Sequence, residues 1–370
     1  MTSCALILDN LMVLYIIISL IAVFFAYVSN RNKQKLFLAI AFIIPTVFLA
    51  IRYNFGSDYM GYLDYYQTTV QYSLIESLTA TRFEPGWSLI CKLSQPIGFF
   101  GLVIVLTFVE MAVFYYLCVK YVPPRYYWLA LFLLLLRPTL MLTFSSMMRQ
   151  TLAVCFGLLA IDGIIHKKRI LPILFIFLAT QIHNSAYILI PLILLSFFSD
   201  TKKVYYLFIA LLILVPVVLY LFSDNLMSAF YLLIETDQFS YYENYVGRES
   251  NISFGLGDVI NLFLLLMLFL NNTKFKIEVR MLNILYTLYI PFLLITYVAP
   301  MISRLSYYFV VLQMLCFPNL VSVQKNSSIR TFIVLLIVPY TFYSLYTCYY
   351  SEWGHYFHDY ITIFSLNLWL

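Results

Sequence analysis

Apolar runs of about 17–22 residues recur along this chain of 370 residues, and few charges interrupt them. At about 1.5 Å of rise per residue, such a run matches the hydrocarbon core of a bilayer. Lipid offers the backbone no hydrogen-bond partner, so each run must satisfy its own peptide groups as a helix. Composition points the same way. Hydrophobic residues make up 63% of the chain and charged residues 11%, more apolar surface than a soluble domain of this length can bury. The alternating segments of a membrane β-barrel are absent. The expected fold is all-α, a single transmembrane domain over residues 1–370 with about twelve spans and bounds of 10–14.

The spans are expected near 8–28, 36–51, 100–119, 126–144, 147–165, a two-helix hairpin over 170–198, 204–222, 255–271, 281–299, 305–322 and 331–350. Two long polar segments, 52–97 and 223–254, separate them. The first apolar run has no basic stretch before it, which fits an uncleaved span. Cys4, Cys91, Cys118, Cys155, Cys316 and Cys348 form no CxxC pair and lie mostly in apolar runs, as small apolar side chains do. No metal and no cofactor is expected. Glu235-Thr-Asp237 has too few oxygens to hold a hard cation.

Bases set the orientation. Connectors carrying Arg31, Lys33, Lys35, Lys120, Arg125, Lys167, Lys168, Arg169, Lys202, Lys203, Lys274, Lys276, Arg280, Lys325 and Arg330 fall on one side. The positive-inside rule makes that side the cytoplasm. Both long polar segments, the hairpin tip and both termini then face outward. The net charge of +5 is a topology signal, and no nucleic-acid partner is expected.

Seven bases break the bias: Arg52, Arg82, Lys92, Arg137, Arg149, Arg248 and Arg304. A base on the wrong side, near a helix end, is a candidate functional residue. Arg149 opens a helix beside Gln150, and arginine's planar fork suits phosphate oxygens. Arg304 opens another, with Tyr307 and Tyr308 on its face at spacings of three and four. Arg137 precedes Pro138, where its alternative task is to satisfy carbonyls freed by the proline. The stretch Arg52–Tyr66, RYNFGSDYMGYLDYY, concentrates charge and tyrosine at a helix mouth. Tyr59 and its neighbours offer rings that can stack on sugars, or belong to an interfacial belt. Asp58, Glu84 and His183 are the candidate bases on the outer side, each with a structural alternative.

These pieces form an ordered set that resembles the EpsG family of Wzy-type polysaccharide repeat-unit polymerases. RYNFGSDYMGYLDYY is similar to that family's Arg-Tyr…Gly-Ser/Thr-Asp-Tyr…Tyr pattern. Phe83-Glu84-Pro85-Gly86 resembles its Glu-Pro-Gly element, Met148-Arg149-Gln150 its Arg-Gln helix start, His183-Asn184-Ser185-Ala186 its His-x-Ser-Ala element, and Arg304-Leu-Ser-Tyr307-Tyr308 its late Arg…Tyr element. The resemblance implies an O-antigen or related polysaccharide polymerase similar to lipid-dependent GT-C-type glycosyltransferases. It implies undecaprenyl-diphosphate-linked oligosaccharide as donor and acceptor, no metal, and a site facing the periplasm from the bacterial inner membrane. A flippase and a chain-length regulator are the partners such an enzyme would have. Under that reading Arg52, Arg149, Arg304, Tyr307 and Tyr59 bind substrate, while Asp58, Glu84 and His183 are the catalytic candidates. The competing readings are a flippase or transporter for the lipid-linked sugar, another lipid-dependent glycosyltransferase such as an O-antigen ligase, and a non-enzymatic scaffold.

Overall fold

The computed structural model describes residues 2–32, 35–79, 82–197, 255–298, 303–358 and 360–364, with the isolated positions 210, 214 and 218. The expected span 204–222, the segment 223–254, Glu235, Asp237 and Arg248 lie outside the described residues, apart from those isolated positions.

The chain runs through α1 (Thr2–Asn32), α2 (Lys35–Ala50), the two-residue strand β1 (Arg52–Tyr53), and three short helices, α3 (Tyr59–Thr69), α4 (Leu74–Thr79) and α5 (Pro85–Leu93). Next come α6 (Gly98–Tyr121), α7 (Tyr127–Leu136), α8 (Met141–Ser146), α9 (Met148–Ile165), α10 (Ile170–Ile182) and a 3-10 helix, Asn184–Phe197. The last group is α11 (Leu256–Leu270), α12 (Ile277–Thr287), α13 (Tyr289–Val298), α14 (Ser303–Val310), α15 (Gln313–Val323), α16 (Ser327–Tyr349) and β2 (Ile361–Thr362). This is a membrane protein, and its described residues are all-helical apart from one two-stranded pairing. Among the described residues four helical stretches are long and apolar enough to cross a membrane, Val13–Asn30, Gln95–Tyr121, Met148–Ile165 and Ser327–Tyr349. The pair α14 and α15, bent by 42°, makes a fifth.

The centre is built from α7, α8 and α9. Every residue from Leu129 to Leu136 is buried, as a helix apolar on all sides must be when it sits inside a bundle. The outermost spans are α1 and α16, whose apolar windows are only 28% and 22% buried.

Three expected spans are broken, 305–322 among them at the bend between α14 and α15, and proline explains the other two. The run 126–144 stops at Leu136 because Arg137 takes an extended backbone before Pro138 (φ −83°, ψ 117°). The run 281–299 breaks at Leu288 because Pro291 has no N–H to give to the carbonyl of Thr287. The C-terminal tail brings the feature that sequence reasoning missed. It returns to the start of the chain, pairing Arg52 with Thr362 and Tyr53 with Ile361 in antiparallel register. Ile363 N–H donates to Ile51 O at 3.0 Å and Gly56 N–H to Tyr356 O at 3.0 Å. The Tyr360 ring stacks on Phe48 at 4.0 Å. This strap fixes the stretch after α2, from which the candidate site is built.

Candidate functional site

Two glycines let the outer segments dock. Gly56 has φ +107°, and a Cβ there would stand 2.7 Å from the Cα of Ser146. Only glycine meets both demands. The docking puts Ser57 Oγ 3.0 Å from Ser146 Oγ, and Asp58 N–H donates to the same hydroxyl at 3.4 Å. Asp58 is thereby held just before α9. Its carboxylate is half-buried and accepts from Ser57 Oγ at 3.0 Å.

Gly86 does the second task. A Cβ at this position would lie 2.6 Å from the carbonyl oxygen of Gln181, so α5 touches the end of α10 backbone to backbone. Pro85 sits at the first helical position, where a missing N–H costs nothing. Glu84 precedes it in extended backbone and reaches across. Its Oε2 pairs with Arg149 Nη1, and its Oε1 accepts from Asn184 N–H at 2.8 Å. One carboxylate therefore joins the start of α9 to the hairpin tip.

Arg149 is 9% exposed, and its guanidinium also lies 3.7 Å from the Phe83 ring centre. His183 follows α10 and is 7% exposed. Its Nδ1 accepts from Ser185 N–H at 3.1 Å and meets Ser185 Oγ at 2.7 Å. A neutral ring accepting at Nδ1 carries its proton on Nε2. Burial, followed by the charges of Arg149 and Arg304, holds the His183 pKa well below its ordinary value. Ser185 Oγ contacts Tyr308 Oη at 3.1 Å, and Gln150 Nε2 donates to Arg304 O at 2.6 Å. Arg149, Asp58 and Arg304 all act electrostatically on Tyr62, whose pKa is pushed up to about 12, chiefly by burial. Tyr307, half-buried in α14, sits within the influence of Arg304 and Asp58.

A model of the EpsG family matches residues 35–362. The chain belongs to that family of Wzy-type polymerase-like proteins. Comparison with curated proteins and with solved structures gave no match. The family motifs read from the sequence are the pieces that meet here. Asp58, Glu84, Arg149, His183, Arg304 and Tyr307 converge at one end of the helices.

Two expected members stand behind that end. Arg52 is 1% exposed. Its Nη1 donates to Leu49 O at 2.5 Å and Thr107 Oγ1 at 2.8 Å, and its Nη2 to Ser145 O at 3.2 Å. The acid acting on it is Glu110 of α6, not Asp58. Arg52 was expected at the diphosphate; in the structure its fork closes the end of α2 and ties α6 to α8. Tyr59 is fully buried. Its hydroxyl donates to Arg52 O at 3.1 Å and its ring meets Phe99 edge-on at 5.5 Å. It packs the motif and offers no ring to a ligand.

Three other bases that break the charge bias have partners of their own. Lys92 donates to Val70 O at 2.7 Å and also to Tyr72 O, closing α3. Arg137 donates to Asn261 Oδ1 at 2.7 Å and faces the Tyr340 ring. Arg82 lies over Phe83. Tyr62, Gln150 and Ser185, which stand within the sequence motifs without a role of their own there, also lie at the site, as does Tyr308. Gln150 and Ser185 adjoin residues already singled out, and Tyr308 is one position from Tyr307. Glu110, an acid inside an apolar run, was the available signal for the Arg52 anchor. Among the described residues no three His, Cys, Asp or Glu side chains gather to hold a metal ion.

Proposed function

We propose that this protein is a polysaccharide polymerase that joins polyprenyl-diphosphate-linked oligosaccharide repeat units on the periplasmic face of a bacterial inner membrane. Family membership supports the polymerase class. The observation that carries the finer reading is the pairing of Arg149 with Glu84 beside His183, within the field of Arg304. A diphosphate leaving group needs little protonation, so fixed cations facing the developing charge are the main requirement.

In the reaction we infer, a hydroxyl of the acceptor's terminal sugar attacks the anomeric carbon of the donor glycan. The bond from that carbon to the diphosphate oxygen breaks, and the lipid diphosphate leaves with the electron pair. Arg149 and Arg304 receive it. The proton lost by the hydroxyl passes to a carboxylate. Glu84 already uses both oxygens on Arg149 and Asn184, whereas among the described residues the Asp58 carboxylate accepts from Ser57 Oγ alone. Asp58 is therefore the base in this reading, and Glu84 is the residue that holds Arg149. His183, neutral and protonated at Nε2, is a hydrogen-bond donor to a substrate oxygen. Tyr307 is the ring at the sugar. A full complement of about twelve spans and a GT-C-like arrangement belong to the same proposal, as do a flippase and a chain-length regulator as partners.

The test is coupling by the purified protein in liposomes, using lipid-linked oligosaccharide extracted from cells lacking the gene. The reading expects products of two and more repeat units with stoichiometric release of lipid diphosphate. Unchanged substrate would overturn it.

One observation favours a second reading. Helices broken at Arg137–Pro138 and at Leu288, with Arg137 buried at the first break, are devices also used by transporters. Gene deletion separates the two. A polymerase deletion leaves surface glycan of one repeat unit, and a flippase deletion leaves none.

A further inference from the structure

Away from the candidate site, at the opposite end of the helices, a groove of about 640 Å³ opens between α1, the turn before α7, α15 and α16. Arg125 and Arg330 line it, together with Tyr27, Trp128, Val334 and Leu335. No acid lines it, and neither arginine joins an ion pair among the described residues. Ser327, the first residue of α16, also lines it, which adds the positive end of a helix dipole to the mouth. Val334 and Leu335 stand one turn further along α16 than Arg330 and Thr331, about 6 Å deeper at 1.5 Å per residue. The groove thus has a cationic mouth, an aromatic collar and an apolar stem.

We propose that this groove binds one anionic phospholipid of the cytoplasmic leaflet. Its phosphate sits between Arg125 and Arg330, and its acyl chain lies along Val334 and Leu335. Charge and shape select the occupant. A soluble anion uses the mouth and leaves the stem wet, while a neutral lipid fills the stem and leaves two arginines without a counter-ion. The two flanking spans, α1 and α16, are the most lipid-exposed long helices among the described residues, so acyl chains reach the stem from the bilayer. The basic connectors place this end in the cytoplasm by the same charge rule that sends the candidate site outward.

The experiment is native mass spectrometry of the whole protein released from nanodiscs of phosphatidylcholine with a minor fraction of phosphatidylglycerol. Wild-type protein is expected to retain one phosphatidylglycerol in preference to phosphatidylcholine. Arg125→Ala and Arg330→Ala each weaken retention roughly fivefold, and the double variant by the product. The double lysine variant keeps most of the retention, since charge is what the mouth supplies. Unchanged thermal unfolding in detergent shows that the variants are folded. Inorganic phosphate at millimolar level leaves the lipid in place. Equal retention by the double alanine variant, equal retention of phosphatidylcholine, or displacement by inorganic phosphate overturns the proposal.

Discussion

Arg52 and Arg149 are two arginines at helix ends, and the protein uses them in opposite ways. Arg52 gives its fork to two carbonyls and a threonine hydroxyl, all within the scaffold. Arg149 gives its fork to a carboxylate and an aromatic face, with His183 and Arg304 in its field. An arginine whose donors meet backbone carbonyls is a clamp, because those acceptors would be orphaned in lipid without it. An arginine held by a side-chain carboxylate can trade that partner for a phosphate as the substrate arrives. A base that breaks the charge bias of the connectors thus flags a constrained residue, and the kind of acceptor it meets says which constraint.

That contrast is broken or sharpened by substitution. The largest effect is expected at Arg149. Arg149→Ala removes a charge aimed at the leaving group and should lower coupling by about 10²–10³-fold, measured by product formation per folded protein. Arg149→Lys keeps charge but loses the fork, and should recover only part of the rate. At Arg52 the loss should be in stability. Arg52→Ala leaves Leu49 O, Thr107 Oγ1 and Ser145 O short of a partner, at a cost of about 1–3 kcal/mol for each buried group left unsatisfied, read as a lower unfolding midpoint in detergent. Activity per folded molecule should change far less. The converse pattern at the two sites would collapse the distinction.

Gly86→Ala is the next in size. Its new Cβ meets Gln181 O and pushes α5 from α10, costing about 1–3 kcal/mol. The same shift moves Glu84 off Arg149, so activity should fall with stability. The smallest effect concerns pH. The folded His183 pKa lies well below its ordinary value, which is about 6.5. The unfolded chain therefore takes up a proton first as pH falls. The stability present above about 6.5 is lost as pH drops toward the lower folded value. Unfolding midpoints across that window should slope for the wild type and flatten in His183→Gln.

Much of the helical class was legible because lipid imposes length and hydropathy on every span. The ends of helices were legible where polar motifs mark them. Met148 and Ser303 open α9 and α14 next to their arginines, and both arginines act on the buried His183. Tyr59 and Arg52 misled because a motif records only that a residue is constrained. Burial by Phe99 and by the carbonyl of Ser145 comes from segments tens of residues away. The tail strap was invisible for the same reason. Nothing local in Ile361-Thr362 names Arg52-Tyr53 as its partner. The break at Arg137–Pro138 was legible in principle, since proline directs its predecessor out of the helix, but the apolar run hid it.

The most direct measurement is the glycan ladder of cells carrying Arg149→Ala at normal membrane levels. The account predicts glycan stopped at a single repeat unit, with lipid-linked single units accumulating. A full ladder from that variant would contradict it.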